Sequence, residues 1–421
     1  MKKLSVITFS IFIFCLTSAN SQILSLEKPE EVGMSSSRIK RISEMLDSYS
    51  TERKIPGAVC LIARKGKIVF YESFGYKDIE NNLSMSKEDL FRIASQSKAI
   101  ISVAIMILVE RGQLNLFDPI GKYIPEFINS KVAIPTENDL FEIVPSNREI
   151  TIRDLLTHTS GFGYGFGVAQ ELWKNEGIQD WYFAYRDEPI IETIKRLAAL
   201  PADAQPGEKF VYGYSSDILG ALIEVITNQT LDKFLQSNIF DKLGMNNTFF
   251  YIPLEKEYRL TTVYENIGEL SRKENYKDSK YQDHYVHGPR RSFSGGAGLV
   301  STAMDYAIFL QMMLNKGIYN GNRILSRKSV ELMTSIHVND ATYTWSQGVG
   351  FGLGFSVVED LGKRGILGSN GEFAWGGAYH STYWVDPKEE LIVVYMTQIT
   401  PIQGVDDQQK LRSLVYQSLI D

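Results

Sequence analysis

At 421 residues, 44% hydrophobic and 22% charged, the chain has the composition of a globular protein with ample core for one large domain or two interleaved ones. A net charge of −6 excludes a general electrostatic basis for holding nucleic acid or anionic lipid. Only two cysteines are present, one of them inside an N-terminal apolar run, which excludes a disulfide framework.

The chain opens on "MKKLSVITFSIFIFCLTSANSQ", two lysines before an apolar run from Leu4 to Leu16 and then small polar residues. This is the three-part pattern of a signal peptide over residues 1–21, with cleavage expected after Ala19 or Ser21; the run is short for a membrane span. The expectation is export to the periplasm or the medium with no stable membrane insertion afterwards, and the alternative is a single N-terminal anchor. Cys15 lacks the small residues that precede a lipid-modified cysteine, and Cys60, in "AVCLIA", reads as a buried strand residue.

Ser35 to Ser37 offer caps for an amphipathic helix through Ile39, Ile42, Met45 and Leu46. Two β-rich runs flank Lys65-Gly66 and predict a hairpin, followed by a long apolar helix from near Ser95 to Gly112. From Leu114 to Arg290 helical patterns alternate with loops, as in "TIRDLLTHTSGF", "IIETIKRLAAL" and "SSDILGALIEVITN". Two more helical patterns, "DYAIFLQMMLNKG" and "SRKSVELMTSI", precede strand patterns in "GFGLGFSVVED", "AYHSTYWVDP" and "ELIVVYMTQ", and a closing helix ends the chain. Strands at both ends with helices between predict an α+β fold. One antiparallel sheet would be built from 22–94 and 295–421 and flanked by helices, with a mostly helical subdomain inserted over 95–294 and the active site between the two.

Ser-x-x-Lys occurs at Ser25/Lys28, Ser37/Lys40, Ser84/Lys87 and Ser95/Lys98, so the bare spacing decides nothing. Only Ser95 follows an apolar strand-like run, "LFRIA", and opens a helix buried along its length, where helix dipole and free N–H groups favour negative charge. A lysine one turn inside is partly desolvated, the condition under which an amine serves as a base.

"SQSK" at Ser95–Lys98, "YSS" at Tyr214–Ser216 and "WGG" at Trp375–Gly377 resemble, in order, the three motifs of the serine β-lactamase and penicillin-binding-protein superfamily. The closest variants are class C β-lactamases and the related family VIII-type carboxylesterases. "LLTHTSGF", "PGEKFVYGYSS", "GGAGLVSTAMDYAIFLQMML" and "WVDPKEELIVVYMTQ" extend the likeness over nearly the whole mature chain. The resemblance implies a β-lactamase/transpeptidase-like fold, with Ser95 the acylated nucleophile, Lys98 its base and Tyr214 the proton carrier. It also implies an oxyanion hole from the N–H groups of Ser95 and Ala378, with no metal or organic cofactor. Tyr212 is the rival for the second motif.

Two departures bear on substrate. The second motif usually ends in asparagine, here Ser216, and the third usually begins with lysine or histidine, here Trp375. The lost positive charge forfeits a charge-assisted hydrogen bond to a substrate carboxylate, worth about 1.5–3 kcal/mol. Trp375, Gly376, Gly377, Ser216 and His380 are the expected substrate-binding residues. The expected substrate is a small-molecule ester, amide or peptide. A β-lactamase, or a D-alanyl-D-alanine carboxypeptidase or D-aminopeptidase, is the alternative enzyme, and a non-catalytic binding or sensor protein the alternative class.

Other features carry less. His284 and His287 have metal-ligand spacing but sit in a loop-like "YQDHYVHGPRR" with no obvious third ligand. His158 is expected to be a structural hydrogen-bonding residue near the site. "SGGAGLVS" reads as close backbone packing because it lacks the Gly-Lys-Ser/Thr of a phosphate loop. "GFGYGFGVAQELWKNEGIQDWYFAY" is the aromatic-densest stretch, either helical-domain core or an apolar wall over the acyl pocket.

Overall fold

A computed structural model describes residues 23–137, 140–273 and 284–421. The leader expected over 1–21, with Cys15, lies outside them. No described helix is long and apolar enough to cross a membrane.

Helix α1 (Ser36–Thr51) buries Ile39, Ile42 and Leu46 along one face. Strands β1 (Gly57–Arg64) and β2 (Lys67–Asp78) then form the hairpin. Lys65 and Gly66 are both left-handed, φ +51 and +73°, the backbone of a two-residue turn that matches strand twist. From the far end of the chain come β3 (Val349–Phe351), β4 (Ser356–Val358), β5 (Phe373–Gly376), β6 (Thr382–Asp386) and β7 (Leu391–Thr397). The order across the sheet is Ser25–Leu26, β2, β1, β7, β6, β5, β4, β3. The two chain ends meet where β7 pairs with β1, Tyr395 opposite Cys60 and Val394 opposite Leu61. Pairing is antiparallel except at the edge, where Ser25–Leu26 runs parallel to β2.

β1 is a continuous apolar run because both its faces are covered. Val59, Leu61 and Ala63 pack in one core with helices α2 (Ser97–Glu110) and α5 (Ala303–Leu314). Ala58, Cys60 and Ile62 pack in a second core with α1 and the closing helix α6 (Asp407–Tyr416). Cys60 is fully buried, and burial pushes its thiol far above the ordinary range, which leaves it an inert packing group. Every residue of α2 from Ser97 to Leu108 is buried, so this mostly apolar helix is covered all round and threads the core.

The middle of the chain supplies α3 (Ile152–Leu156), closed by a capping box between Thr151 and Asp154, and α4 (Ser215–Thr227), which packs on α2. It also contains strands that the helical reading omits: Lys131–Pro135 pairs with Phe141–Pro145, and Tyr264–Asn266 pairs with both Leu270–Arg272 and Ile399–Ile402. These strands are three to five residues long, and their part-exposed apolar residues, such as Ile134 and Ile143, give no clean alternation. His284–His287 forms one helical turn where a loop is expected, with His287 bonded to Glu257.

Candidate active site

The turn bearing Ser95 is built by its neighbours. The Ile93 N–H donates to Leu299 O (3.0 Å), the Gln96 N–H to Ile93 O (3.0 Å), and the Tyr306 hydroxyl to Gln96 O (2.9 Å). Between them Ala94 is left-handed, φ +43°, a conformation costing about 1–2 kcal/mol for a non-glycine residue and held only by such surroundings. The kink leaves Ser95 half-buried while Ala94 and Gln96 are fully buried. One turn on, Lys98 is buried, and its Nζ lies 3.2 Å from Ser95 Oγ, 2.7 Å from Gly296 O and 3.2 Å from the Tyr164 hydroxyl. Ser95 and Lys98 are thus a hydrogen-bonded pair.

Tyr214 is not beside them. It is fully buried at the head of α4, its ring stacked on Phe183 (4.8 Å) and Trp173 (6.0 Å), and its hydroxyl donates to Asp180 O. Burial, and then the carboxylate of Asp217, pushes its phenol far above the ordinary range. Of the two second-motif tyrosines, Tyr212 is the one beside Lys98, whose Nζ lies 4.7 Å from its ring centre. The physical reason is position relative to the helix. Tyr214 is the N-cap residue of α4 and its ring is drawn into the helical core, whereas Tyr212 still lies in the loop that crosses beside Phe162 and Gly163 before the helix begins. Gly213 permits the crossing, since a Cβ there would lie 2.3 Å from Phe162 O and 2.4 Å from the Gly163 carbonyl carbon. The expectation for Tyr214 is corrected accordingly. Ser216 falls with it: inside α4 and only 3% exposed, it offers no opening to a substrate.

The third motif lies on β5 and the turn after it. Trp375 donates its indole N–H to the Tyr212 hydroxyl (3.0 Å) and stacks on Trp345 (5.9 Å, 18°). Gly377 presses on the Ser95 turn so closely that a Cβ would lie 2.6 Å from Ile93 O. Ala378, the residue after it, is exposed. The Gly377 N–H is spent on Ser381 O (2.8 Å) and the His380 N–H on Gly377 O (3.1 Å). His380 is engaged through its ring: its Nε2 is 2.7 Å from Asp407 Oδ1, and the other Asp407 oxygen accepts the Tyr395 hydroxyl (2.7 Å). The imidazole is committed to the start of α6, because a fully buried carboxylate there needs donors.

Around Tyr212 the chain assembles an aromatic wall. Phe210, Tyr343 and Phe351 pack against one another, Trp345 meets Tyr212 at 5.0 Å and remains 55% exposed, and His158 meets Tyr212 at 4.7 Å. Burial, reinforced by the charge of Lys98, holds the His158 imidazole well below its ordinary range, so it is neutral. The stretch "GFGYGFGVAQELWKNEGIQDWYFAY" divides its duties: Phe162, Trp173, Tyr182 and Phe183 are core, while Tyr164 reaches Lys98. Burial above all, then nearby Tyr212 and Asp217, pushes the Tyr164 phenol well above its usual range. The sequence pattern does not single out Tyr164 or Trp345, and aromatic density was the available signal for the first.

A family model described as Beta-lactamase matches residues 42–417. An uncharacterized Mycobacterium tuberculosis protein is 34% identical over 369 residues, covering 84% of this chain and 88% of that one. Esterase EstB of Burkholderia gladioli is 30% identical over 379 residues, covering 87% of this chain and 91% of that one. The solved structure of EstCE1, titled a hydrolase with promiscuous acyltransferase activity, matches with a TM-score of 0.78 at 28% identity, over 90% of this chain and 98% of that one. With a serine and lysine paired at the head of a buried helix and an esterase among its relatives, the chain belongs to the beta-lactamase family as an esterase-like serine hydrolase.

Proposed function

We propose that the protein hydrolyses uncharged carboxylic esters bearing an apolar group, through an acyl-enzyme on Ser95. The observation that carries this reading is Trp375: where the family's usual cation would grip a carboxylate, an uncharged indole spends its one N–H on Tyr212 and extends the wall of Trp345, Phe351 and Tyr343. An apolar acyl or alcohol group gains contact there, whereas the carboxylate of a β-lactam or peptide terminus loses its handle.

In this mechanism Ser95 Oγ attacks the acyl carbon while its proton passes to Lys98, 3.2 Å away. The developing oxyanion lies between the N–H groups of Ser95 and Ala378. Tyr212, rather than Tyr214, hands a proton to the leaving alkoxide: donation from the Trp375 N–H into its oxygen fixes the ring and leaves its own O–H free to point at substrate. The alcohol departs with that proton, Tyr212 recovers one from Lys98, and water repeats the sequence in reverse to release the carboxylic acid. The leader-like residues 1–21 support export.

The test is a panel on the purified protein: short-chain p-nitrophenyl esters, a chromogenic cephalosporin and a D-alanyl peptide, with Ser95→Ala as control. Ester turnover that vanishes in the control is the expected outcome. A cephalosporin kcat/KM above that of the best ester would overturn the substrate reading and restore the β-lactamase one.

A further inference from the structure

Lys98 is held by something the mechanism above does not use. Of its three oxygen partners, Ser95 and Tyr164 are hydroxyls that can donate as well as accept; only the Gly296 carbonyl, the shortest contact at 2.7 Å, must accept. One lysine N–H is therefore pinned on Gly296, and the lone pair of the amine form is left to the hydroxyls. What fixes Gly296 is Asp217, fully buried on the first turn of α4. Its Oδ1 accepts the Gly296 N–H (3.1 Å) and the Ser294 hydroxyl (2.6 Å). Its Oδ2 has no hydrogen-bond partner among the described residues and lies so near the turn that a Cβ on Gly296 would come within 2.3 Å of it. An alanine or larger residue at 296 would displace the carboxylate, and a wider turn would move the carbonyl off Lys98. Gly295 is wedged in the same way, 2.4 Å from Ser216 O at the ideal Cβ position.

We propose that Asp217 is a positioning residue for the reaction: through the Gly295–Gly296 turn it aims Lys98 at Ser95, and its buried charge sets the pH at which Lys98 can accept the serine proton. This rests on the assignment of Ser95 and Lys98 as nucleophile and base. The ionisable groups facing Asp217 are Lys98 from α2, Tyr164 from the loop after α3 and Tyr214 at the head of its own helix. Those facing Lys98 are Tyr164, Tyr212, His158 and Asp217. Burial holds the Tyr164 and Tyr214 phenols far above, and the His158 imidazole well below, their ordinary ranges, so these neighbours are uncharged and a negative Asp217 acts chiefly on the lysine. Burial pushes the Asp217 carboxyl up, and the Ser294 hydroxyl, the charge of Lys98 and the Gly296 N–H oppose that.

The experiment measures the rate at which a p-nitrophenyl phosphonate labels Ser95, followed by intact mass across pH, in wild type and Asp217→Asn. This readout needs no knowledge of the natural substrate. Asparagine can still accept from Ser294 and Gly296 but carries no charge, so removing the negative neighbour makes the protonated lysine less favourable. The acid limb of the labelling profile should move to lower pH by about one unit. A merely structural role would lower the rate at every pH and leave the limb in place; an unmoved limb, or one moved to higher pH, overturns the proposal. If Asp217→Asn does not fold, Gly296→Ala decides, since it forces the turn and the carboxylate apart while keeping the charge. Labelling slowed at least about tenfold supports the proposal and wild-type labelling overturns it. Failure of the wild type itself to be labelled at Ser95 would overturn the nucleophile assignment, and the role of Asp217 with it.

Discussion

Tyr212 and Tyr214 are separated by one glycine and belong to different regions of the molecule. Tyr212 stands in the aromatic wall at the mouth, its hydroxyl on the Trp375 indole and its ring against Lys98. Tyr214 is sealed among Phe183, Trp173 and the Asp180 carbonyl in the helical core. One region keeps a polar tip near water and reactants; the other spends the same side chain on packing. The difference teaches that two positions at the entry to α4 decide the role: the ring of Tyr214, which caps the helix, turns into the interior, whereas Tyr212 stays on the approach beside Lys98.

The comparison breaks most sharply through Tyr212→Phe. Removing a proton carrier should lower kcat on a p-nitrophenyl ester about a thousandfold with the thermal midpoint nearly unchanged. If Tyr214→Phe showed that loss and Tyr212→Phe did not, the assignment of the two regions would be reversed. Tyr214→Ala should instead destabilise the fold by about 3 kcal/mol, read by urea unfolding, because it empties a stacked, buried site. The enzyme that remains folded should keep most of its kcat.

A weaker effect comes from His158. Its folded-state proton affinity is depressed below the ordinary value of 6.5, so the unfolded chain binds the extra proton first. Its contribution to stability is complete above pH 6.5 and is lost as pH falls below that value, by at most about 1.4 kcal/mol per pH unit. His158→Asn, chosen because asparagine tolerates the φ of +54° there, should lower stability overall but flatten that slope. Equal slopes in the two proteins would show that another group titrates. The smallest effect is expected at Trp345→Ala. Loss of an exposed ring from the wall should raise KM for an aryl ester about fivefold, leave kcat unchanged and spare a methyl-substituted ester.

Much of the architecture is legible from patterning alone. The hairpin about Lys65-Gly66, the mostly apolar helix after Ser95 and the strand-rich C-terminal third follow from turn chemistry and periodicity. The short strands at Lys131–Pro135 and Tyr264–Asn266 do not, because three to five part-exposed residues carry too little pattern to compete with loop readings. His380 follows Gly377 by three residues and looks like a pocket residue for that reason. Its ring instead satisfies Asp407, a partner 27 positions away that no local pattern reveals.

The sequence by itself determined the chemistry's first pair. A serine and lysine three apart at the head of a helix must face the same way, and burial of that helix along its length sets this pair apart from the other three Ser-x-x-Lys spacings. It also determined the absence of a cation at the start of the third motif, since Trp375 is what it is in any fold. Only the tertiary structure decided which tyrosine joins the pair, that Tyr164 and the Gly296 carbonyl also hold Lys98, and that Asp217 lies behind them. Those contacts join residues 66 to 198 positions apart, brought together by the packing of α4 and the Gly295–Gly296 turn on α2. Local propensity acts over a few residues, whereas a site closed by three distant segments exists only once the core between them has formed.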